Sequence, residues 1–170
     1  HCSNSAGIFD LKQANLDMVR AGVSIYGMYP SDEVNKFAVP ITPVLSLKSH
    51  IVYIKELEAG AAVSYGGTFV AEKTMKVATV PVGYGDGYPR SLSNKGWVLI
   101  RGQKAPILGR VCMDQLLLDV SDPFFDTLET GEEAVLFGFD HGNYLDSGEQ
   151  MEKCGSISYE LLCNETDGCR

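Results

Sequence analysis

The feature that most constrains the fold is a series of short apolar runs that begins after Ser31. The runs are rich in Val, Ile, Leu and Tyr, and Gly, Asn, Asp and Pro separate them. They are PVLSLKSHIVYIKEL, MKVATVPVGYG, WVLIRGQKAPILGRVCMDQLLLDV and EAVLFGF. Such residues favour strands, and turn residues at regular intervals are typical of a barrel or sandwich. The sequence therefore predicts a mainly β, compact, barrel-like domain.

The first 29 residues have a different pattern. Apolar residues in IFDLKQANLDMV recur three or four positions apart, at Ile8, Leu11, Ala14 and Met18. This spacing predicts a helix. The next stretch, MVRAGVSIYGMYP, predicts a short buried strand that ends at Gly27 and Pro30. One β/α unit of this kind cannot form a domain alone.

The C-terminal stretch SGEQMEKCGSISYELLC predicts two short helices with a turn at Gly155. The polar ending NETDGCR predicts a frayed terminus.

Composition narrows the class of protein. The chain has 170 residues, 45% of them hydrophobic and 21% charged, which is typical of a soluble globular protein. A net charge of -8 argues against a nucleic-acid partner, because phosphate contacts need clustered Lys and Arg. The sequence contains no apolar run near the ~20 residues that a membrane span requires, and no signal peptide at its start. Because it does not begin with Met, we expect a fragment or a processed chain.

The five cysteines indicate a reducing compartment. Their number is odd and no two stand at C-x-x-C spacing, so a zinc ribbon or a disulfide scaffold is a poor fit. We therefore expect reduced thiols, a cytoplasmic location and no metal site.

Tyr65 is the first candidate for chemistry. It precedes two glycines in AVSYGGTF. A Gly pair is costly in a strand unless another backbone or a ligand comes close. The ring is either packed, with its hydroxyl satisfied, or its hydroxyl is aimed at a ligand.

Arg20 stands inside the predicted apolar strand. It is a buried arginine paired with a carboxylate, an arginine at an interface, or a fixed cation that donates hydrogen bonds to a ligand. Backbone N–H groups near Gly22 and Val23, together with Ser5, could hold a phosphate.

Two further stretches are ambiguous when taken alone. GYGDGYPR could be only a turn between strands, and in CMDQ the side chain of Met113 could only fill core space. His1, His50 and His141 lie in unrelated contexts, and the sequence holds no Ser-His-Asp or Cys-His arrangement.

Six motifs in order are far more specific than any one of them. They are H-x-x-N-S, MVRAGVSIYG, VSYGGT, VPVGYGDGYPR, PILGRVCMDQ and ISYE. On these motifs the chain, from His1 to Cys163, resembles the C-terminal part of the bacterial alanine racemases. The resemblance implies pyridoxal 5'-phosphate (PLP) as cofactor, alanine as substrate and D-alanine for cell-wall peptidoglycan as the product. It also implies that residues 1–29 end an N-terminal (β/α)8 barrel, a TIM barrel. Residues 30–170 would form a C-terminal β-domain that completes the partner's site in a head-to-tail homodimer.

The resemblance also implies roles for individual residues. Tyr65 matches the catalytic tyrosine. Arg20 resembles the arginine that hydrogen-bonds the pyridine nitrogen, and His1 resembles the residue that orients it. The expected cofactor-binding residues are His1, Asn4, Ser5, Arg20, Gly22, Val23 and Tyr159. The expected substrate-pocket residues are Tyr84, Met113 and Asp114.

The chemistry needs one base on each face of the substrate, and Tyr65 would serve one of them. An ordinary phenol has a pKa near ~10, so it needs a neighbouring cation or hydrogen-bond donor to act near neutral pH. In the family the Schiff-base lysine lies early in the barrel, upstream of the residues present here. We therefore expect the isolated chain to lack that lysine and to be inactive alone.

Two alternatives remain open from the sequence. The same architecture could act on serine, in a protein with membrane segments outside this chain. The β-domain could also be an interaction module without catalysis.

Overall fold

The structure is a computed structural model that describes residues 1–168, with side chains described as far as Asn164. The chain divides into two compact units, His1–Leu45 and Ser46–Arg170. The described strands are β1 Leu47–His50, β2 Tyr53–Leu57, β3 Ala62–Val63, β4 Phe69–Val70, β5 Met75–Val80, β6 Trp97–Ile100, β7 Gln103–Leu108, β8 Leu116–Asp119, β9 Glu133–Asp140 and β10 Asn143–Leu145. The α-helices are α1 Ser5–Asp10, α2 Ser147–Lys153 and α3 Ser158–Gly168.

The second unit is built on one antiparallel sheet whose two edges belong to the same stretch of chain. The strand order is β1-β9-β6-β7-β8-β5-β2, and β10 extends β9. β1 pairs with β9 at one edge, and β2 pairs with β5 at the other. Only Ile51 and Val52 separate β1 from β2, and their N–H groups donate to Glu132 and Thr79 respectively. The sheet must therefore curl until its edges meet, which confirms the mainly β, barrel-like prediction.

The barrel core is apolar, and strand β6 is covered on both faces, since successive side chains of a strand point to opposite faces of the sheet. All four residues of β6 are buried, and one cluster joins Trp97, Leu99, Val135 and Leu145. Helix α2 is fixed to this cluster through the buried amide of Gln150. That side chain accepts from Trp97 N at 3.2 Å and donates to Trp97 O at 2.7 Å.

The two helices predicted near the C-terminus are present, and Gly155 makes the turn between them with φ +72°. Position 155 favours glycine because few other residues tolerate this φ. The predicted frayed end is wrong for Asn164–Gly168, which continues α3. Cys169 and Arg170 lie outside the described residues.

The first unit differs from its sequence-based prediction in two ways. The predicted helix is real but short, because α1 ends at Asp10 and a 3-10 turn follows at Lys12–Ala14. The predicted strand is wrong: Val23–Tyr26 is a 3-10 helix closed by Gly27 at φ +74°. A strand is stabilised by pairing with a neighbour, and the described residues of this unit contain no strand to pair with.

Candidate active site

Tyr65 begins a tight 3-10 turn between β3 and β4. Its side chain is 71% exposed, so the ring is not packed in the core. Gly66 and Gly67 have φ of +72° and +53°, which explains two consecutive glycines at this point. Of the two alternatives for Tyr65, the packed ring is therefore wrong, and the turn presents the phenol to solvent.

The residue before Tyr65 holds an unusual backbone conformation. Ser64 has φ +62° and ψ -175°, a region that is almost restricted to glycine and costs about 1–3 kcal/mol. Its hydroxyl donates to the carbonyl oxygen of Arg110 at 2.6 Å and lies 3.3 Å from Cys112 Sγ.

Gly109 allows this close approach. A Cβ at Gly109 would lie 2.8 Å from the carbonyl oxygen of Val63 and 2.9 Å from Ser64 Cβ. Across the same turn, the guanidinium carbon of Arg110 lies 3.6 Å from the position of a Cβ on Gly66. The segment after β7 therefore braces the Tyr65 turn from two sides.

The same segment also holds the turn that carries Tyr84. The N–H of Tyr84 donates to Cys112 O at 3.0 Å, and the N–H of Gly85 donates to Met113 O at 2.8 Å. Within the Tyr84 turn, the Asp86 carboxylate accepts from the N–H of Gly83 at 3.0 Å. Tyr65, Tyr84 and Met113 are thus carried on loops joined by a continuous set of hydrogen bonds.

Met113 and Asp114 face outward. The Met113 side chain is 53% exposed, so the alternative that it only fills core space is wrong. Asp114 is exposed, and its Oδ1 lies 3.6 Å from the position of a Cβ on Gly85. A lone exposed Met carries little information, but this one lies beside the Tyr84 turn.

A hollow of about 390 Å³ opens next to Tyr84. Tyr84 is 43% exposed and lines it together with Arg90 and Asn164. The hollow thus combines an aromatic ring, a cation and an amide, which are the groups that orient a small polar ligand.

In the first unit, Ser5 lies at the centre of a cluster of hydrogen-bond donors. Its buried hydroxyl accepts from the N–H of Gly22 at 2.9 Å and lies 3.0 Å from Ser24 Oγ. Val23 follows Gly22, and its side chain is buried. The sequence analysis missed Ser24, because a serine in an apolar stretch carries no pattern of its own. Asn4 caps α1, with Oδ1 accepting from Gly7 N at 3.1 Å.

Arg20 and His1 are hydrogen-bonded to each other. The Arg20 guanidinium donates to His1 Nδ1 at 2.8 Å and to His1 O at 3.1 Å. Arginine is donor-only, so Nδ1 must be the acceptor and the imidazole proton of this tautomer is on Nε2. Arg20 is exposed, so the alternative of a buried arginine paired with a carboxylate is wrong.

Tyr159 lies in the first turn of α3 in the second unit and is 38% exposed. Two other ionisable groups of this unit have clearly shifted pKa values. Hydrogen bonds from Arg101 hold the pKa of Glu132 below its usual value. Burial, with a contribution from the charge of Asp146, raises the pKa of Tyr144 to about 12.

No group of three or more His, Cys, Asp or Glu side chains in the described part of the chain could hold a metal ion. None of the helices in residues 1–168 is both long enough and apolar enough to cross a bilayer.

The fold and the candidate site define a closed β-domain with an exposed tyrosine on a braced turn, and known proteins resemble this chain in sequence and fold. Residues 44–169 match the family model described as alanine racemase, C-terminal domain. The chain is 48% identical over 164 residues to an alanine racemase of Halothermothrix orenii, with 96% of the chain and 42% of the relative covered. An alanine racemase of Clostridium perfringens is 45% identical over 163 residues, with the same coverage. The structure of alanine racemase from Clostridium difficile 630 in complex with cycloserine superposes with a TM-score of 0.86 and 40% identity, over 95% of this chain and 42% of that one.

The chain therefore belongs to the alanine racemase family, and its second unit is the C-terminal domain of that family. It spans about two fifths of the length of the relatives that it matches.

Proposed function

We propose that the protein to which this chain belongs interconverts L-alanine and D-alanine with PLP as cofactor, and that Tyr65 transfers a proton at the substrate Cα. One observation carries the proposal. The exposed Tyr65 phenol stands on a turn braced by the Arg110–Cys112 segment, in a chain 48% identical to an alanine racemase.

The donors around Ser5 fit the phosphate of PLP. Gly22 N and Ser24 Oγ lie 2.9 and 3.0 Å from Ser5 Oγ, and a Cβ at Gly22 would meet only Ser5 Oγ, at 3.6 Å. Such a set of neutral donors beside an open backbone suits a phosphate. We assign Asn4, Ser5, Gly22 and Val23 to this end of the cofactor.

Arg20 is suited to the other end of the cofactor. Its guanidinium is held by His1 and can only donate hydrogen bonds. A donor-only cation facing the pyridine nitrogen would keep that nitrogen unprotonated. When bound, PLP supplies an electron-accepting ring that lowers the energy needed to remove the Cα proton. Arg20 would moderate that effect, which favours racemisation over transamination.

Tyr65 is the group in this chain that would move the proton. Racemisation removes a proton from one face of Cα and returns one to the other, so two groups on opposite faces suffice. A phenol needs a cation or donor nearby to work as a base near neutral pH. The Arg110 guanidinium, which packs near Gly66, supplies a positive charge beside the Tyr65 turn.

We infer a head-to-tail homodimer in which Tyr65, Tyr84, Met113 and Asp114 complete the partner's pocket. The exposure of Tyr65, Tyr84 and Met113 supports this, because large apolar side chains grouped at a surface are typical of an interface. In this arrangement residues 1–29 would end the cofactor-binding barrel and residues 30–170 would form the β-domain. The lysine that anchors the cofactor would come from outside this chain, so we expect residues 1–170 alone to be inactive.

The test is Tyr65→Phe in the full-length enzyme. We expect the racemisation rate to fall by about 10²–10⁴-fold, the usual range for loss of a general acid–base group. The absorbance of bound PLP should be unchanged, because the substitution leaves the Ser5 and Arg20 groups intact. Tyr53→Phe is the matched control, since it removes another exposed phenol hydroxyl, on β2. Near-normal racemisation by Tyr65→Phe would remove Tyr65 from the mechanism.

A further inference from the structure

The turn that presents Tyr65 depends on a residue with no obvious chemistry of its own. Ser64 has a positive φ of +62° with ψ at -175°, in a region that glycine fills easily and other residues avoid. Non-glycine residues persist there only when the surrounding structure holds them, and they concentrate at functional sites. A serine at this position therefore calls for a physical reason.

The contacts of the Ser64 hydroxyl supply that reason. It donates to Arg110 O at 2.6 Å and lies 3.3 Å from the buried thiol of Cys112. Both partners belong to the segment after β7, and the same segment holds the Tyr84 turn through Cys112 O. The hydroxyl thus links the backbone next to Tyr65 to the segment after β7 that also holds the Tyr84 turn.

Packing prevents the Ser64 backbone from relaxing away from this link. Ser64 Cβ lies 2.9 Å from the position that a Cβ on Gly109 would occupy, so these two backbone segments are as close as glycine permits. Gly109 is itself fixed, because its N–H donates to Asn94 Oδ1 at 2.6 Å. Asn94 in turn donates to Thr68 Oγ1 at 3.2 Å, on the far side of the Tyr65 turn.

We propose that Ser64 is a positioning residue for Tyr65: its hydroxyl holds the turn in a strained conformation that aims the phenol. The inference rests on the proposed function, since it gives Ser64 a role only if Tyr65 transfers a proton. Without the hydroxyl, the backbone at position 64 has no hydrogen bond to offset its unfavourable φ, and the turn relaxes. The phenol then points away from its working position while remaining chemically intact.

The experiment is a double-mutant cycle in the full-length holoenzyme, with Ser64→Ala, Tyr65→Phe and the combined variant. Ser64→Ala should lower kcat by about 10- to 100-fold, the scale of a displacement near 1 Å at a reacting group, with KM for alanine changed much less. In the Tyr65→Phe background the same change should cost less than about 2-fold, because effects that act through one group are not additive.

Ser121→Ala is the matched control. Ser121 Oγ also bridges two backbone groups, accepting from Lys76 N at 3.0 Å and donating to Lys76 O at 3.3 Å, outside the site described above. It should leave kcat within about 2-fold of the parent enzyme, as expected for a surface substitution away from the site.

Ser64→Gly separates positioning from stability. Glycine accepts a positive φ, so this variant should fold at least as well as Ser64→Ala. It lacks the hydroxyl but also lacks the unfavourable φ that makes the Ser64→Ala turn relax, so its kcat should fall less than that of Ser64→Ala.

Each outcome decides between the accounts. If Ser64→Gly and Ser64→Ala both keep kcat within 2-fold while Tyr65→Phe is inactive, the proposed function stands and the role of Ser64 is wrong. If Ser64→Ala costs the same factor in both backgrounds, Ser64 acts on stability and not through Tyr65, which also overturns the inference. If Tyr65→Phe itself is fully active, the proposed function fails and the positioning role fails with it.

Discussion

Replacing Gly83 by alanine should uncouple the Tyr84 turn from the segment that carries Met113. A Cβ on Gly83 would lie 2.1 Å from the carbonyl oxygen of Cys112 and 2.3 Å from that of Met113. Carbon and oxygen atoms normally stay at least about 3.3 Å apart, so the two backbones would have to separate by about 1 Å. The φ of Gly83 is -152°, which alanine adopts freely, so the cost is steric and not conformational.

The size of the effect follows from the bonds that such a separation breaks. The hydrogen bonds from Tyr84 N to Cys112 O and from Gly85 N to Met113 O, at 3.0 and 2.8 Å, would lengthen beyond bonding distance. Each costs about 1 kcal/mol when lost, and the overlap adds about 1–3 kcal/mol. We therefore expect the free energy of unfolding to fall by about 3–5 kcal/mol.

Urea unfolding of the 170-residue chain, followed by the fluorescence of its single tryptophan, Trp97, measures this difference. Gly148→Ala is the matched control. A Cβ at Gly148 would meet only side-chain atoms, Asp146 Oδ1 at 3.2 Å and Ser158 Oγ at 3.4 Å, which can move. It should change the free energy of unfolding by less than about 0.5 kcal/mol. A Gly83→Ala chain as stable as the Gly148→Ala chain would refute the close coupling of the two loops.

Three further predictions concern charge. Hydrogen bonds from Arg101 lower the pKa of Glu132. The stability that this carboxylate contributes is therefore present above pH 4.5 and lost as pH falls through the lowered pKa. Glu132→Gln should flatten the fall in unfolding free energy on acidification, and an unchanged slope would contradict this. Burial raises the pKa of Tyr144 to about 12, so the stability that the neutral phenol contributes is intact below pH 10 and lost between pH 10 and 12. In that window the free energy of unfolding of Tyr144→Phe, measured with urea, should depend less on pH than that of the parent chain. Arg20→Glu in the full-length enzyme should raise the ratio of transamination to racemisation, measured as pyruvate formed per turnover, and an unchanged ratio would argue against Arg20 facing the pyridine nitrogen.

The β-domain was predictable because its signals are local. Runs of Val, Ile and Leu bounded by turn residues predict strands whichever partner they find. Strands β5, β6, β7 and β8 lie within the runs identified from the sequence, and β9 extends its run by one residue, Asp140. Closure of the sheet could not be predicted from these local runs. It depends on Ile51 and Val52 serving two different edges, and that pairing is a property of the whole sheet.

The strand predicted around Arg20 shows the opposite case. The apolar pattern from Val19 to Ile25 resembles a buried strand, but a strand needs a partner, and the described part of the first unit offers none. Val23–Tyr26 is therefore a 3-10 helix, and Arg20 is exposed beside His1.

Within the candidate site, the sequence indicated the candidate catalytic and pocket residues but not the residues that hold their loops in place. Tyr65, Tyr84 and Met113 were chosen from short motifs, and the structure links their loops. Ser64 and Gly109 were missed as supporting residues because a positive φ or a close approach of two backbones leaves no signal in a single sequence.

The central claim, that Tyr65 moves a proton on one face of the substrate, is tested most directly by hydrogen exchange at Cα. Full-length Tyr65→Phe enzyme would be incubated in D₂O with L-alanine and with D-alanine separately. Loss of the α-proton and inversion of configuration would then be followed by NMR and chiral separation. The account predicts that one enantiomer still exchanges its α-proton and keeps its configuration, while inversion of both falls at least about 100-fold. Inversion of both enantiomers at nearly the parent rate would contradict it.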